Sequence, residues 1–88
     1  MILSIIMPVY NEKDTIQKAI DMALSVELPI GREIIIVDDG STDGTRDILR
    51  GITNPGVRVI YHKKNKGKGA ALRTGFSVLK GDIVIIQD

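Results

Sequence analysis

The chain has 88 residues and not one cysteine, so neither a disulfide nor a thiolate metal site can brace it. Its single histidine, His62, cannot hold a zinc ion alone. The absence of cysteine fits a reducing compartment. Charge of one sign is missing too. The balance of 12 Lys+Arg against 11 Asp+Glu argues against a dedicated nucleic-acid binder, which carries a strongly basic face. Aromatic side chains are few, and neither Phe76, Tyr10 nor Tyr61 lies in the lysine-rich stretch 63–68, so that charge has no base-stacking platform. No apolar run approaches the roughly 20 residues of a membrane-spanning helix. The opening Met1–Pro8 is apolar but lacks a basic n-region and a small-residue cleavage site. It reads as a strand, not a signal peptide.

What is present is the 43% hydrophobic content of an ordinary globular domain. A chain of this length buries only about 60–65% of its unfolded surface, so one small unit with a marginal core is expected. Four short runs rich in Ile and Val, Ile2–Met7, Glu33–Val37, Val57–Tyr61 and Asp82–Gln87, suit strands buried on both faces. Between them, Ile16, Ala19, Ile20, Ala23 and Leu24 share one helical face, with Asp14 and Gln17 spaced as a capping box and Pro29 and Gly31 as the stop. A short helix over Thr45–Arg50 buries Ile48 and Leu49. A third over Lys68–Leu79 turns Ala71, Leu72, Phe76 and Leu79 inward, and Gly81 closes it. The order β-α-β-α-β-α-β implies an α/β fold with a Rossmann-like parallel sheet and right-handed crossovers. Ligands of such sheets sit beyond the carboxyl ends of the strands.

The strand ends therefore carry the candidate site. After the first strand, Pro8 closes the strand, Tyr10 offers a flat ring to a base or sugar, and Glu12 offers a carboxylate to hydroxyls. After the second, Asp38 and Asp39 begin an acidic, glycine-containing loop to Gly44. Their mutual repulsion calls for donors, a cation or a ligand. Ser41–Asp43 read as a solvated turn in which Asp43 or Thr42 caps the short helix. After the third, the loop 62–71 is basic and leads through Gly67, Lys68 and Gly69 into a helix N-terminus, a favourable place for phosphate. It is neither a dinucleotide fingerprint, since Leu72 stands at the third glycine position, nor a P-loop. Arg73 lies one turn inside that helix, either folded back toward the loop or exposed. The fourth strand ends at Gln87-Asp88. Together these groups suit a nucleoside diphosphate with a divalent cation.

Four segments in order, Ile6-Met7-Pro8-Val9-Tyr10-Asn11-Glu12, Ile36-Val37-Asp38-Asp39-Gly40-Ser41-Thr42-Asp43-Gly44, Asn65-Lys66-Gly67-Lys68-Gly69-Ala70-Ala71 with Gly75, and Gly81-Asp82-Ile83-Val84-Ile85-Ile86-Gln87-Asp88, resemble family-2 glycosyltransferases over nearly the whole chain. The flavour is closest to the polyprenyl-phosphate (dolichol-phosphate) mannose or glucose synthases. The resemblance implies a GT-A fold, here with strand order 3-2-1-4, and sugar transfer from a GDP- or UDP-linked donor assisted by Mg²⁺ or Mn²⁺. It implies that Pro8, Tyr10 and Glu12 line the nucleoside pocket, that Asp39 or Asp38 accepts from the base, uracil and guanine alike, that Gly67, Lys68 and Arg73 lie beside the donor, and that Asp88 is the first Asp of a D-x-D metal motif. The second Asp of that motif would fall two residues past Asp88. A donor-binding half without its acceptor half or catalytic base is thus expected, one that does not turn over alone. It should self-associate through uncovered apolar surface. Polyprenyl phosphate is the expected acceptor of a longer enzyme, and the cytosolic nucleotide-sugar pool and lack of a signal imply a cytoplasmic location.

Of two other functional classes, one remains and one does not fit. A non-catalytic nucleotide-binding or regulatory module would share every site and differ in turnover. A phosphoacceptor receiver needs its acidic pair after the first strand and a third Asp after the third, where this chain has His62-Lys63.

Overall fold

A computed structural model describes residues 1–87. Strands β1 (Ile2–Val9), β2 (Gly31–Asp38), β3 (Val57–Tyr61) and β4 (Ile83–Ile86) alternate with helices α1 (Ile16–Ser25), α2 (Thr45–Arg50) and α3 (Lys68–Val78). All strand pairs are parallel, and the order is β3-β2-β1-β4, as expected. No helix among the described residues is long and apolar enough to cross a membrane.

Strand alternation divides the core into two layers. Leu3, Ile5, Met7 and Val9 of β1, with Ile34 and Ile36 of β2, face Ile16, Ile20 and Ala23 of α1 and Leu49 of α2. Ile35 and Val37 face the other way, against Ala71 of α3. Each buried Ile adds about 2 kcal/mol of transfer free energy, and Ile6, Ile34, Ile35 and Ile36 are wholly buried. A strand pair covered on both sides explains the continuous rather than alternating Ile/Val runs.

Several local expectations change. β1 does not close at Pro8; it runs on to Val9. The Ile2 and Ile6 carbonyls accept from Asp82 and Gln87 N–H on the β4 side, whereas Val9 accepts from Asp39 on the β2 side. Pro8 therefore lacks its donor on the β4 side, just past the last registered pair, Ile6 with Ile86, where the ladder ends. Gly31 opens β2 instead of ending α1. The capping box is not made: the N-cap of α1 is Thr15, without a side-chain cap bond, and Gln17 donates to Asp21 one turn on. In α3, Phe76 is 48% exposed rather than inward. The inward positions are Ala71 and Gly75. A Cβ on Gly75 would stand 2.7 Å from the Ile6 side chain, so the missing side chain lets α3 lie close to β1 and rolls Phe76 outward. α3 ends at Val78, before Leu79 and Gly81.

At the amino ends of the strands, Glu33 accepts from the Ser4 hydroxyl at 2.5 Å and from the Lys80 and Gly81 N–H groups at 2.6 and 3.1 Å. That carboxylate ties the α3–β4 turn under the sheet. That turn leads into the edge strand β4, which is poorly covered on both faces: Ile83 and Ile85 point to the α1 side, Ile86 to the α3 side, and all three are exposed. Self-association through this edge is the expected result. Sedimentation of the unaltered chain should report a dimer or larger species, and Ile85→Lys should shift it to monomer. A stable monomer with a high melting temperature would contradict this.

Candidate functional site

Two adjacent carboxylates close β2, and alternation sends them to opposite faces of the sheet. Asp38 turns to the α2 side, fully buried, and its Oδ2 accepts from Arg46 Nε at 2.6 Å and from Ser41 N–H at 3.2 Å. Arg46 also donates to the His62 carbonyl and lies over the Tyr61 ring, 5.5 Å from its centroid. Asp39 turns to the α3 side, 3% exposed. The neighbouring dipeptide at the end of β3 divides in the same way, with Tyr61 beside Arg46 and His62 beside Asp39. The repulsion expected within the acidic pair is thus resolved by separation, and each carboxylate has its own cationic or hydrogen-bonding partner.

Asp39 organises the loop between β3 and α3. Its Oδ1 accepts from His62 Nδ1 at 2.8 Å and Lys66 N–H at 2.9 Å, and its Oδ2 accepts from Gly67 N–H at 2.8 Å. Burial alone would raise the Asp39 pKa. The His62 bond and the two N–H bonds outweigh it and hold the carboxyl below its ordinary range. A carboxylate has about four acceptor sites, so about one remains, on Oδ2. Gly67 then caps α3 at φ 98°. Gly40, at φ 81°, lies so close to the same loop that a Cβ there would come within 2.5 Å of the Asn65 nitrogen.

The segment 41–45 is more than the expected solvated turn. The Ser41 hydroxyl accepts from Asn11 N–H at 2.8 Å, the Thr45 hydroxyl from Glu12 N–H at 3.0 Å, and Asp43 Oδ2 from Lys13 N–H at 3.2 Å. Asn11, at φ 50°, returns a bond by accepting from Thr42 N–H at 2.8 Å. This latch fixes the loop that carries Tyr10 and Glu12. Asp43 also accepts from Thr45 N–H at 3.0 Å, so it meets the start of α2 from one residue before the capping Gly44.

A crevice of about 300 Å³ opens above these groups at the carboxyl ends of β1–β3. Of the residues expected there, Pro8, Tyr10, Glu12, Asp39, Gly67 and Lys68 border it, joined by Val9, Asn65 and Ala71. Two do not. Asp38 is sealed on the other face of the sheet with Arg46, which corrects its expected place beside a base. Arg73 is exposed on α3, outside the crevice wall, and its guanidinium folds back so that a Cβ on Gly69 would be 3.5 Å from Nη1. Asp88, expected at a metal, lies outside the described residues. Among the described residues no three His, Cys, Asp or Glu side chains gather as a cation site. Asp38 and Asp39 are engaged internally, so the described residues by themselves do not fit a divalent ion. Reading the sequence missed His62, Thr74 and Arg46 as supports. The usable signal was register: residues that follow aligned strand ends, Asp39 and His62, meet on one face.

The Glycosyl transferase family 2 model matches residues 4–88. An undecaprenyl-phosphate 4-deoxy-4-formamido-L-arabinose transferase of Edwardsiella ictaluri is 37% identical over 91 residues, which cover 98% of this chain and 28% of that protein. Glycosyltransferase AglE of Haloferax volcanii is 34% identical over 89 residues, covering 98% of this chain and 29% of its own. Among solved structures, a mannosyltransferase from Pyrobaculum calidifontis in complex with GDP-Man and Mn²⁺ superposes with a TM-score of 0.89 at 32% identity, over 98% of this chain and 26% of that one. Glucosyl-3-phosphoglycerate synthase from Mycobacterium tuberculosis, in complex with Mn²⁺, UDP and glucosyl-3-phosphoglycerate, superposes with a TM-score of 0.76 at 32% identity, over 98% and 32% of the two chains. The chain thus spans between a quarter and a third of the length of these relatives.

Two outcomes follow from this geometry. Gly40→Ala should lose about 2 kcal/mol or more in denaturant unfolding, since both its positive φ and the Asn65 backbone oppose a side chain. Asp39 and Glu33 both have pKa values held low in the fold. For Glu33, burial opposes the shift, and the Ser4 hydroxyl, the Lys80 and Gly81 N–H groups and the Lys80 charge exceed it. The unfolded chain therefore takes up these protons first. Their stabilisation should be complete above about pH 5.5, where the unfolded carboxyls are ionised too, and disappear as pH falls through the lower folded values. Thermal melts between neutral pH and about pH 2 should show this loss, and Glu33→Gln should flatten it.

Proposed function

We propose that this chain, which belongs to glycosyl transferase family 2, captures the nucleotide of a nucleotide-sugar donor in the crevice at the carboxyl ends of β1–β3. The observation that carries the reading is Asp39: a buried carboxylate fixed by three protein donors, with about one acceptor site left where it borders the crevice. A uracil or guanine ring N–H matches that site. Tyr10, 47% exposed at the rim, offers a face for the base. Glu12 accepts from ribose hydroxyls. Lys68 and the start of α3 meet the diphosphate with backbone N–H groups and positive charge, and Arg73, one turn inside the helix, supplements that charge.

The relatives that bind GDP-Man or UDP in their structures support a nucleotide diphosphate ligand. Those named for undecaprenyl-phosphate transfer support a polyprenyl phosphate as acceptor. The chain corresponds to the donor half of such enzymes and binds donor without completing transfer. Asp38 is sealed against Arg46, and the remaining site of Asp39 is the one assigned to the nucleobase, so neither of these two carboxylates is placed as a base toward an acceptor. A cation, where the reaction uses one, would supply charge neutralisation of the leaving diphosphate. Asp88 is the residue that the family pattern assigns to it, and donor recognition as proposed needs only the base, ribose and phosphate contacts.

Calorimetric titration with UDP and GDP, each with Mn²⁺ and with EDTA, tests this. One nucleotide should bind more tightly, and Asp39→Asn should weaken it by about tenfold, as expected for a lost hydrogen bond to a charged group. A fall on exchanging Mn²⁺ for EDTA measures what a cation adds. A folded chain that binds neither nucleotide would overturn the reading, and robust glycosyl transfer by the chain would overturn its restriction to donor binding.

A further inference from the structure

His62 is buried, 8% exposed, and does not border the crevice. Both ring nitrogens are nonetheless engaged: Nδ1 with Asp39 Oδ1 at 2.8 Å and Nε2 with the Thr74 hydroxyl at 2.8 Å. Thr74 in turn donates to the Ala70 carbonyl at 3.0 Å, inside α3. His62 N–H donates to the Asp38 carbonyl at 2.8 Å, so the ring hangs from a registered strand end. A continuous line of hydrogen bonds therefore joins β2, β3 and α3 through one imidazole.

The other two donors to Asp39, the Lys66 and Gly67 N–H groups, are consecutive backbone groups of a single loop, and Lys66 is exposed. Both therefore depend on the placement of that one loop. The imidazole is held instead from two other elements, at the end of β3 by the His62 N–H on the Asp38 carbonyl and at α3 by Thr74. Rotation of the carboxylate about its terminal torsion, a broad and soft degree of freedom, is what the ring opposes. That rotation would move the remaining acceptor site on Oδ2 away from any base in the crevice.

We propose that His62, braced by Thr74, is a positioning residue that sets the selectivity of Asp39 for a nucleobase with a ring N–H. The inference rests on the donor-binding reading above. Uracil and guanine present a ring N–H to a fixed carboxylate. Cytosine and adenine present a bare ring nitrogen, whose lone pair opposes one. A carboxylate held still discriminates between them, and one free to turn does so less.

Titration calorimetry with UDP against CDP, and GDP against ADP, exchanges N–H for a bare nitrogen in two pairs of nucleotides. The unaltered chain should prefer the N–H member of at least one pair. In His62→Phe that preference should fall by about tenfold, through weaker binding of the N–H member alone. His62→Asn, whose amide can replace Nδ1 at Asp39, should restore most of it. Thr74→Val, which removes only the brace, should lower it by a smaller factor. Circular dichroism checks each fold, and if His62→Phe does not fold, Thr74→Val against His62→Asn decides by the same ratio. An unchanged ratio, or equal weakening of both members, reduces His62 to a structural residue and overturns the inference. If the unaltered chain binds none of the four nucleotides, the donor-binding reading fails first and this inference with it.

Discussion

The Asp39 carboxylate, buried between the ends of two strands and a glycine loop, is the interaction on which the upper half of the molecule depends. It gathers a side chain from β3 and two N–H groups from the approach to α3, and so decides where that helix begins. Removing the His62 side chain would leave the buried carboxylate with two donors instead of three, a loss of about 2 kcal/mol, which is large against the stability of a chain this short. Gly40 depends on the same arrangement, because it lets the acidic loop lie directly on residues 64–65. The group that holds the crevice together is also the group that borders it.

The two faces of the sheet divide the labour. On the α2 side, Asp38, Arg46 and Tyr61 form a closed structural cluster with no opening to the crevice. On the α3 side, Asp39 and His62 lie under it. A one-residue shift in register would exchange the two sets, so the pairing of Val9 with Asp38 and of Asp38 with Tyr61 specifies function as well as fold. Position along the strand decides which carboxylate meets Arg46 and which meets the loop; chemical type does not.

The Ile/Val runs and the punctuation between them were enough to read the element order, and the family resemblance carried the strand order. Long-range partners were harder. Sequence proximity made Asp38 and Asp39 look like a single acidic feature, although alternation separates them. Phe76 looked like core because it is apolar and in phase, but Gly75 brings α3 so close to Ile6 that small residues take the inward face. Ser41, Asp43 and Thr45 looked like local turn and cap residues because their partners, Asn11, Glu12 and Lys13, are about thirty positions away in the chain. His62 was hidden among lysines, and only the register of β2 against β3 brings it to Asp39.

The latch between residues 41–45 and the loop 11–13 has a consequence for association kinetics. Three consecutive N–H groups of the first loop are already bound, so Tyr10 and Glu12 stand on backbone whose conformational entropy has been lost during folding. A ligand that enters the crevice meets a preorganised wall and does not have to order that segment itself. Encounter should then resemble docking onto a rigid surface, with differences in affinity expressed in how long the ligand stays rather than in how fast it arrives.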